Sequence, residues 1–132
     1  MIRSLIDTNI VSELMRKQPD AKVKGWCLTE SDFYISSITL DEITYGLERQ
    51  SLETKLQWFD KFISNRCTVL PVTDAIALRS GKIRGELAAQ GITRSQADML
   101  IAATAWAHGL TLATRNTRDF EGTGIALFNP FE

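Results

Sequence analysis

The 132 residues set 15 Lys and Arg against 16 Asp and Glu, a formal net charge of −1 with a pI near 5.9. This near balance excludes a broadly basic nucleic-acid-binding surface, because phosphate contacts draw on Lys and Arg, while 44% hydrophobic and 23% charged residues exclude the disordered and fibrous classes. One domain spanning residues 1–132 is expected, and it is expected in the cytosol, since the first residues lack a signal-peptide pattern and no apolar run approaches the ~20 residues of a membrane span.

In chain order, residues 1–6 read as a short strand, and residues 8–16 follow as a helix with Ile10, Val11, Leu14 and Met15 at helical spacing. Past Pro19, DAKVKGWCLTE places Val23, Trp26 and Cys27 on one face of a second helix, and FYISSI reads as a second strand. Thr39 is expected to begin a third helix, in T-L-D-E, which fits the capping box. The segment LETKLQWFDKFI continues helically with Leu52, Leu56, Phe59 and Ile63 as its stripe, and CTVLPV is a third strand that stops at Pro71. Thr73 caps residues 74–90, a helix carrying Ile76, Leu78, Ile83 and Leu87 that ends before Gly91. From Ser95, SQADMLIAATAWAHG is a helix apolar on nearly every side and therefore buried. LTLATRN supplies a fourth strand and IALFNPF a short fifth before Pro130. Strands alternating with helices imply an α/β fold, a parallel sheet with helices on both faces, whose sites lie beyond the carboxyl ends of the strands. Cys27 and Cys67 have no metal-type spacing and are expected to be free thiols.

Three acids stand where such a site would form. Asp7 follows the first strand, Glu42 ends the T-L-D-E box, and Asp98 ends S95-Q-A-D98; each also has a local explanation as a helix-start residue. The two readings are compatible, because helix starts beyond parallel strands converge on one rim. Converging carboxylates raise each other's pKa and call for a cation, and oxygen donors alone suit Mg²⁺ or Mn²⁺ with a phosphate ester as substrate. The single histidine, His108, sits at a helix C-terminus, which leaves no imidazole for acid–base work and favours metal-activated water over attack by an RNA 2′-hydroxyl. The cluster T114-R-N-T-R-D119 offers Thr114, Asn116 and Asp119 as metal or water ligands and Arg115 and Arg118 as phosphate partners, or else it is a solvated turn. Trp58 and Phe62 lie beside the stripe of their helix, as a second core contact or as a docking groove.

Taken together, IDTN at 6–9, SSITLDEITYG at 36–46, ADMLIAATA at 97–105 and ATRNTRDF at 113–120 resemble the PIN-domain family, specifically its VapC-type toxins. The resemblance covers essentially the whole chain, including the closing FNPF. It implies a single PIN-like domain, Mg²⁺- or Mn²⁺-dependent endoribonuclease activity leaving 5′-phosphate and 3′-hydroxyl ends, and structured RNA such as a tRNA as substrate. It also implies a VapB-type antitoxin as partner, contact with DNA only through that antitoxin, and a homodimer. Asp7, Glu42 and Asp98 match the family's metal-binding acids; Asn116 stands where many relatives carry Asp, and Asp119 three residues later is an acid in many of them. A haloacid-dehalogenase-type phosphatase would need an acid at Asn9, and a phospho-receiver module would need an Asp after a middle strand, where Leu70-Pro71-Val72 stands. A catalytically idle PIN domain acting only as a binding partner is the remaining alternative, and it sits poorly with retention of all three acids.

Overall fold

The computed structural model describes residues 3–132, so the Met1 and Ile2 end of the expected first strand lies outside the described residues. Five parallel strands form one sheet in the order β3-β2-β1-β4-β5: β1 (Ser4–Ile6), β2 (Phe33–Ser36), β3 (Cys67–Leu70), β4 (Thr111–Ala113) and β5 (Leu127–Phe128). The helices between them are α1 (Thr8–Leu14), α2 (Ala21–Thr29), α3 (Ser37–Glu48), α4 (Glu53–Arg66), α5 (Asp74–Ala89) and α6 (Gln96–His108), with a 3₁₀ turn at Thr117–Phe120. None of these helices is long and apolar enough to cross a membrane.

The pleat divides the core in two. Leu5 and Leu112 point to one face, where Met99, Ile101, Ala102 and Ala105 of α6, Ile83 and Leu87 of α5 and Phe120 pack; Ile6, Phe33, Ile35 and Ala113 point to the other, against α1 to α4. Helices therefore cover both faces, as the alternation of elements implies. Chain order runs outward from β1 through β2 to β3, then crosses back to β4 on the other side of β1. The crevice beyond the carboxyl ends of β1 and β4 is thus the topological switch point, where open α/β sheets bind ligands.

Several elements differ from expectation. Helix α3 begins at Ser37, with Ser36 Oγ accepting from the Ile38 N–H at 3.0 Å, whereas Thr39 lies buried in the first turn with its hydroxyl unpartnered. The reason is the sheet: pairing of β2 with β3 ends at Ser36 opposite Leu70, and the chain turns into helix at once, so the T-L-D-E box is never formed. Helices α3 and α4 are separate, divided at Ser51, whose φ of 55° is left-handed. In α4 the expected stripe faces the core, with Phe59 buried and Leu52, Leu56 and Ile63 packed against it half-buried, but Phe62 is buried as well and Trp58 stacks on it with ring centroids 4.9 Å apart. Leu78 is 76% exposed, because Ile76, Ile83 and Leu87 share a face whose remaining inward position is filled by Ser80. Cys27 and Cys67 are free thiols, as expected; burial pushes them up to about 11 and about 12 and leaves them unreactive at neutral pH.

If Ser36 caps α3, Ser36→Ala costs about 1 kcal/mol in urea denaturation, while Thr39→Val is neutral or stabilising because it removes an unpaired buried hydroxyl. The reverse ranking would return the helix start to Thr39.

Candidate active site

At the end of β1 the chain leaves the sheet through Asp7, whose N–H still bonds the Ala113 carbonyl of β4 at 3.0 Å while its side chain caps α1. Only 5% of Asp7 is exposed, yet both carboxylate oxygens are satisfied: Oδ1 accepts from the Thr8 N–H at 2.8 Å, and Oδ2 accepts from the Thr114 hydroxyl at 2.8 Å and from Asn9 Nδ2 at 3.2 Å. Thr114 follows β4, so this bond joins residues 107 apart in sequence across the switch point. Asn9 reinforces the joint, because its Nδ2 also reaches Thr114 Oγ1 and its Oδ1 accepts from the Arg115 N–H at 3.0 Å. The Asn116 N–H closes the set by donating to Thr114 Oγ1 at 3.0 Å.

The other acids come from helices on both sides of the sheet. Glu42, in the second turn of α3, accepts from the Thr8 hydroxyl at 2.9 Å, which ties α3 to the start of α1. Asp98 lies in the first turn of α6, where its N–H donates to the Ser95 cap at 3.0 Å. Asp7, Glu42, Asp98 and Asn116 line one open cleft of about 550 Å³ with Thr8, Asn9, Ser12, Glu13, Arg16 and Arg115. Asp119, in the 3₁₀ turn, is not among the lining residues, but its charge reaches Asp98 and its carbonyl is held by Arg94. His108 is exposed in the last turn of α6, away from the cleft lining and placed to offset the helix dipole.

Burial, more than neighbouring charge, sets the electrostatics of the two shifted acids. Burial pushes the Asp7 carboxyl above its ordinary value of 3.8; the Thr114 and Thr8 bonds pull it back, and the charges of Asp98 and Glu42 push it up further. Burial likewise raises Asp98, opposed by Ser95 and Arg94 and aided by Asp119. Among the described residues no three His, Cys, Asp or Glu side chains stand close enough to hold an ion unaided. The donors instead surround an open cleft, an arrangement suited to Mg²⁺ or Mn²⁺, which keep several waters and borrow phosphate oxygens; with neither His nor Cys in the lining, the donor set does not suit Zn²⁺.

Local spacing does not reveal the roles of Thr8 and Asn9, because their partners Glu42, Thr114 and Arg115 are remote in sequence. Glu13 is a second buried acid in the lining; it accepts from the Asp20 N–H at 2.7 Å and from Arg16 Nη1 at 3.1 Å. Its sequence signal is a Glu set among the apolar positions Ile10, Val11 and Leu14.

A family model described as the PIN domain matches residues 4–125. Among curated relatives, the tRNA(fMet)-specific endonuclease VapC of Shigella flexneri is 37% identical over 125 residues, covering 94% of each chain. Toxin FitB of Neisseria gonorrhoeae is 35% identical over 137 residues, covering 96% of this chain and 97% of the relative. Among solved structures, DNA-bound VapBC from Salmonella typhimurium contains a chain that matches at a TM-score of 0.85 and 34% identity, covering 98% of this chain and 99% of that one. FitAcB from Neisseria gonorrhoeae contains one at a TM-score of 0.83 and 32% identity, again covering 98% and 99%.

Because Asp7 and Asp98 take up protons more readily in the fold than in the unfolded chain, they cost stability once both forms are ionised. In EDTA, thermal stability of the wild type should therefore fall as pH rises from 3.8 through the raised folded values, and Asp98→Asn should flatten that fall and be at least as stable at neutral pH. Adding Mg²⁺ at a hundredfold excess over Kd should stabilise the wild type by about 2.7 kcal/mol. A less stable metal-free Asp98→Asn, together with a wild type indifferent to metal, would mean that the acids act only as separate caps.

Proposed function

The chain belongs to the PIN-domain family, among its VapC-type toxins, and from that membership we propose that it is a divalent-metal-dependent endoribonuclease, the toxin of a type II toxin–antitoxin pair. The observation that carries the proposal is the buried, fully hydrogen-bonded Asp7 carboxylate sharing a cleft with Glu42 and Asp98.

In this reading Asp7, Asp98 and Glu42 would hold Mg²⁺ or Mn²⁺ jointly with water, with Asn116 in the lining and Asp119 behind Asp98 as further polar or water-mediated partners. When bound, the ion supplies an activated water and offsets charge developing on the phosphoryl oxygens. The chain's own residues fix the geometry. Thr8, Asn9 and Thr114 hold the Asp7 carboxylate in a single orientation, and the Thr8 hydroxyl turns Glu42 toward the same space, where it can orient the attacking water. With no imidazole in the cleft, water rather than the RNA 2′-hydroxyl is the nucleophile, and the products carry 5′-phosphate and 3′-hydroxyl ends. A tRNA is the favoured substrate, consistent with the tRNA(fMet)-specific relative and with readout of unpaired loop bases by side chains.

Incubation of a tRNA panel with the pure protein and Mg²⁺ should give such ends, and Asp7→Asn should reduce cleavage to background while the fold persists. Ends bearing 2′,3′-cyclic phosphate would contradict the mechanism. Intact RNA under every metal condition would favour the idle binding module instead.

For the partner, an open groove of about 510 Å³ lies between α2 and α4, lined by Leu14, Pro19, Leu28, Trp58, Phe62 and Arg66 among others. Leu28 is 75% exposed there, an apolar surface of the kind that marks a binding groove. We assign it to a VapB-type antitoxin, as structures of relatives are toxin–antitoxin complexes, some bound to DNA. DNA contact would then come only through that partner, and the toxin itself would be a homodimer in the cytoplasm. Leu28→Glu and Trp58→Glu should each weaken antitoxin binding in calorimetry at least tenfold; unchanged affinity in folded variants would remove the groove from the interface.

A further inference from the structure

The acid cleft must admit a polyanion, and among its lining residues the cationic side chains are Arg16 and Arg115. They are not equivalent. Arg16 Nη1 bonds both carboxylate oxygens of Glu13, at 3.2 and 3.1 Å, and this is the only ion pair among the described residues. The Arg115 guanidinium is exposed and has no carboxylate partner among the described residues, although the rest of the residue is held firmly. Its N–H donates to Asn9 Oδ1 at 3.0 Å, its carbonyl accepts from Asn129 Nδ2 at 3.4 Å, and its guanidinium carbon lies 4.6 Å from the centroid of the Phe131 ring. Phe131 is itself seated: its N–H donates to Asn129 Oδ1 at 2.9 Å, and its ring packs against the core cluster that includes Ile6 and Ala113.

Resting on the ribonuclease reading above, we infer that Arg115 grips a backbone phosphate of the RNA strand at the cleft, and that Phe131 is the positioning residue that aims its guanidinium. An arginine fork pairs a phosphate with two parallel N–H donors. Stacking the guanidinium on a fixed ring lowers the entropy lost on binding while leaving the edge donors available to the ligand. The C-terminal N-P-F segment thereby acquires a role in substrate binding although none of its residues lines the cleft. Arg118, exposed and absent from the lining, serves as the control arginine.

The test measures binding of a fluorescently labelled hairpin RNA to the Asp98→Asn protein, whose lost metal ligand keeps the RNA intact in Mg²⁺, across a salt series. Arg115→Ala should weaken binding and lower the slope of log affinity against log salt by about 0.7, the value for one phosphate contact on a single strand. Phe131→Leu keeps an apolar side chain in the core and should weaken binding several-fold alone, yet add nothing to Arg115→Ala, since both changes remove the same contact. Arg118→Ala should leave the slope unchanged. An unchanged slope in Arg115→Ala, an equal loss in Arg118→Ala, or additive effects of Phe131→Leu and Arg115→Ala would each overturn the inference while leaving the ribonuclease reading in place. Absence of RNA binding by the Asp98→Asn parent at low salt would overturn both.

Discussion

A carboxylate with 5% exposure at the end of a central strand is the constraint around which this molecule is arranged. Removing an ionised carboxyl from water is costly unless hydrogen bonds replace the lost solvation, and Asp7 obtains three from Thr8, Asn9 and Thr114. Two of those donors lie on the α1 side of the switch point and one on the β4 side, so the bonds that tolerate the charge also close the crevice between β1 and β4. Thr114 and Asn9 are in turn fixed by the backbone N–H groups of Asn116 and Arg115. The result is a rigid polar seam set at the one place where the sheet topology opens.

On that seam the remaining chemistry is distributed by layer. Helix α3, from one face of the sheet, brings Glu42 through Thr8; helix α6, from the other, brings Asp98 at its capped start; the loop after β4 brings Asn116 and Arg115. The Asp7 side chain caps α1 and that of Glu42 tethers α3 to α1, so these acids have structural roles that do not compete with a shared site. Burial is the main reason that the carboxyls of Asp7 and Asp98 are raised; the charges of Asp98 and Glu42 add to it at Asp7, and that of Asp119 adds to it at Asp98.

The order of strands and helices is legible in the sequence because each parallel strand is a short apolar run and most helices carry a start signal, as at Asp20, Thr73 and Ser95. The start of α3 is not, because Thr39 and Glu42 satisfy the same spacing rule that Ser36 satisfies in fact, and the choice is made by where β2 stops pairing with β3. Leu78 misleads for a related reason: apolar character suggests the core, but its angular position on α5 sends it to solvent. At the site, Asp7, Glu42, Asp98 and Asn116 are visible as polar residues near strand ends, whereas the contributions of Thr8 and Asn9 depend on partners as far as 106 residues away. Asp119 stands farther back than its place in the motif suggests, influencing Asp98 through its charge.

Whether the three acids act as one cation site or as three independent helix starts is decided by how they bind a divalent ion. Burial favours the protonated forms of Asp7 and Asp98, so a divalent ion bound there competes with protons. Calorimetric titration of the metal-free protein with Mn²⁺ in two mildly acidic buffers of different ionisation enthalpy reads this directly. One shared cation site gives saturable binding with net proton release, both lost in Asp7→Asn. Binding that releases no protons, or that survives Asp7→Asn unchanged, would contradict it.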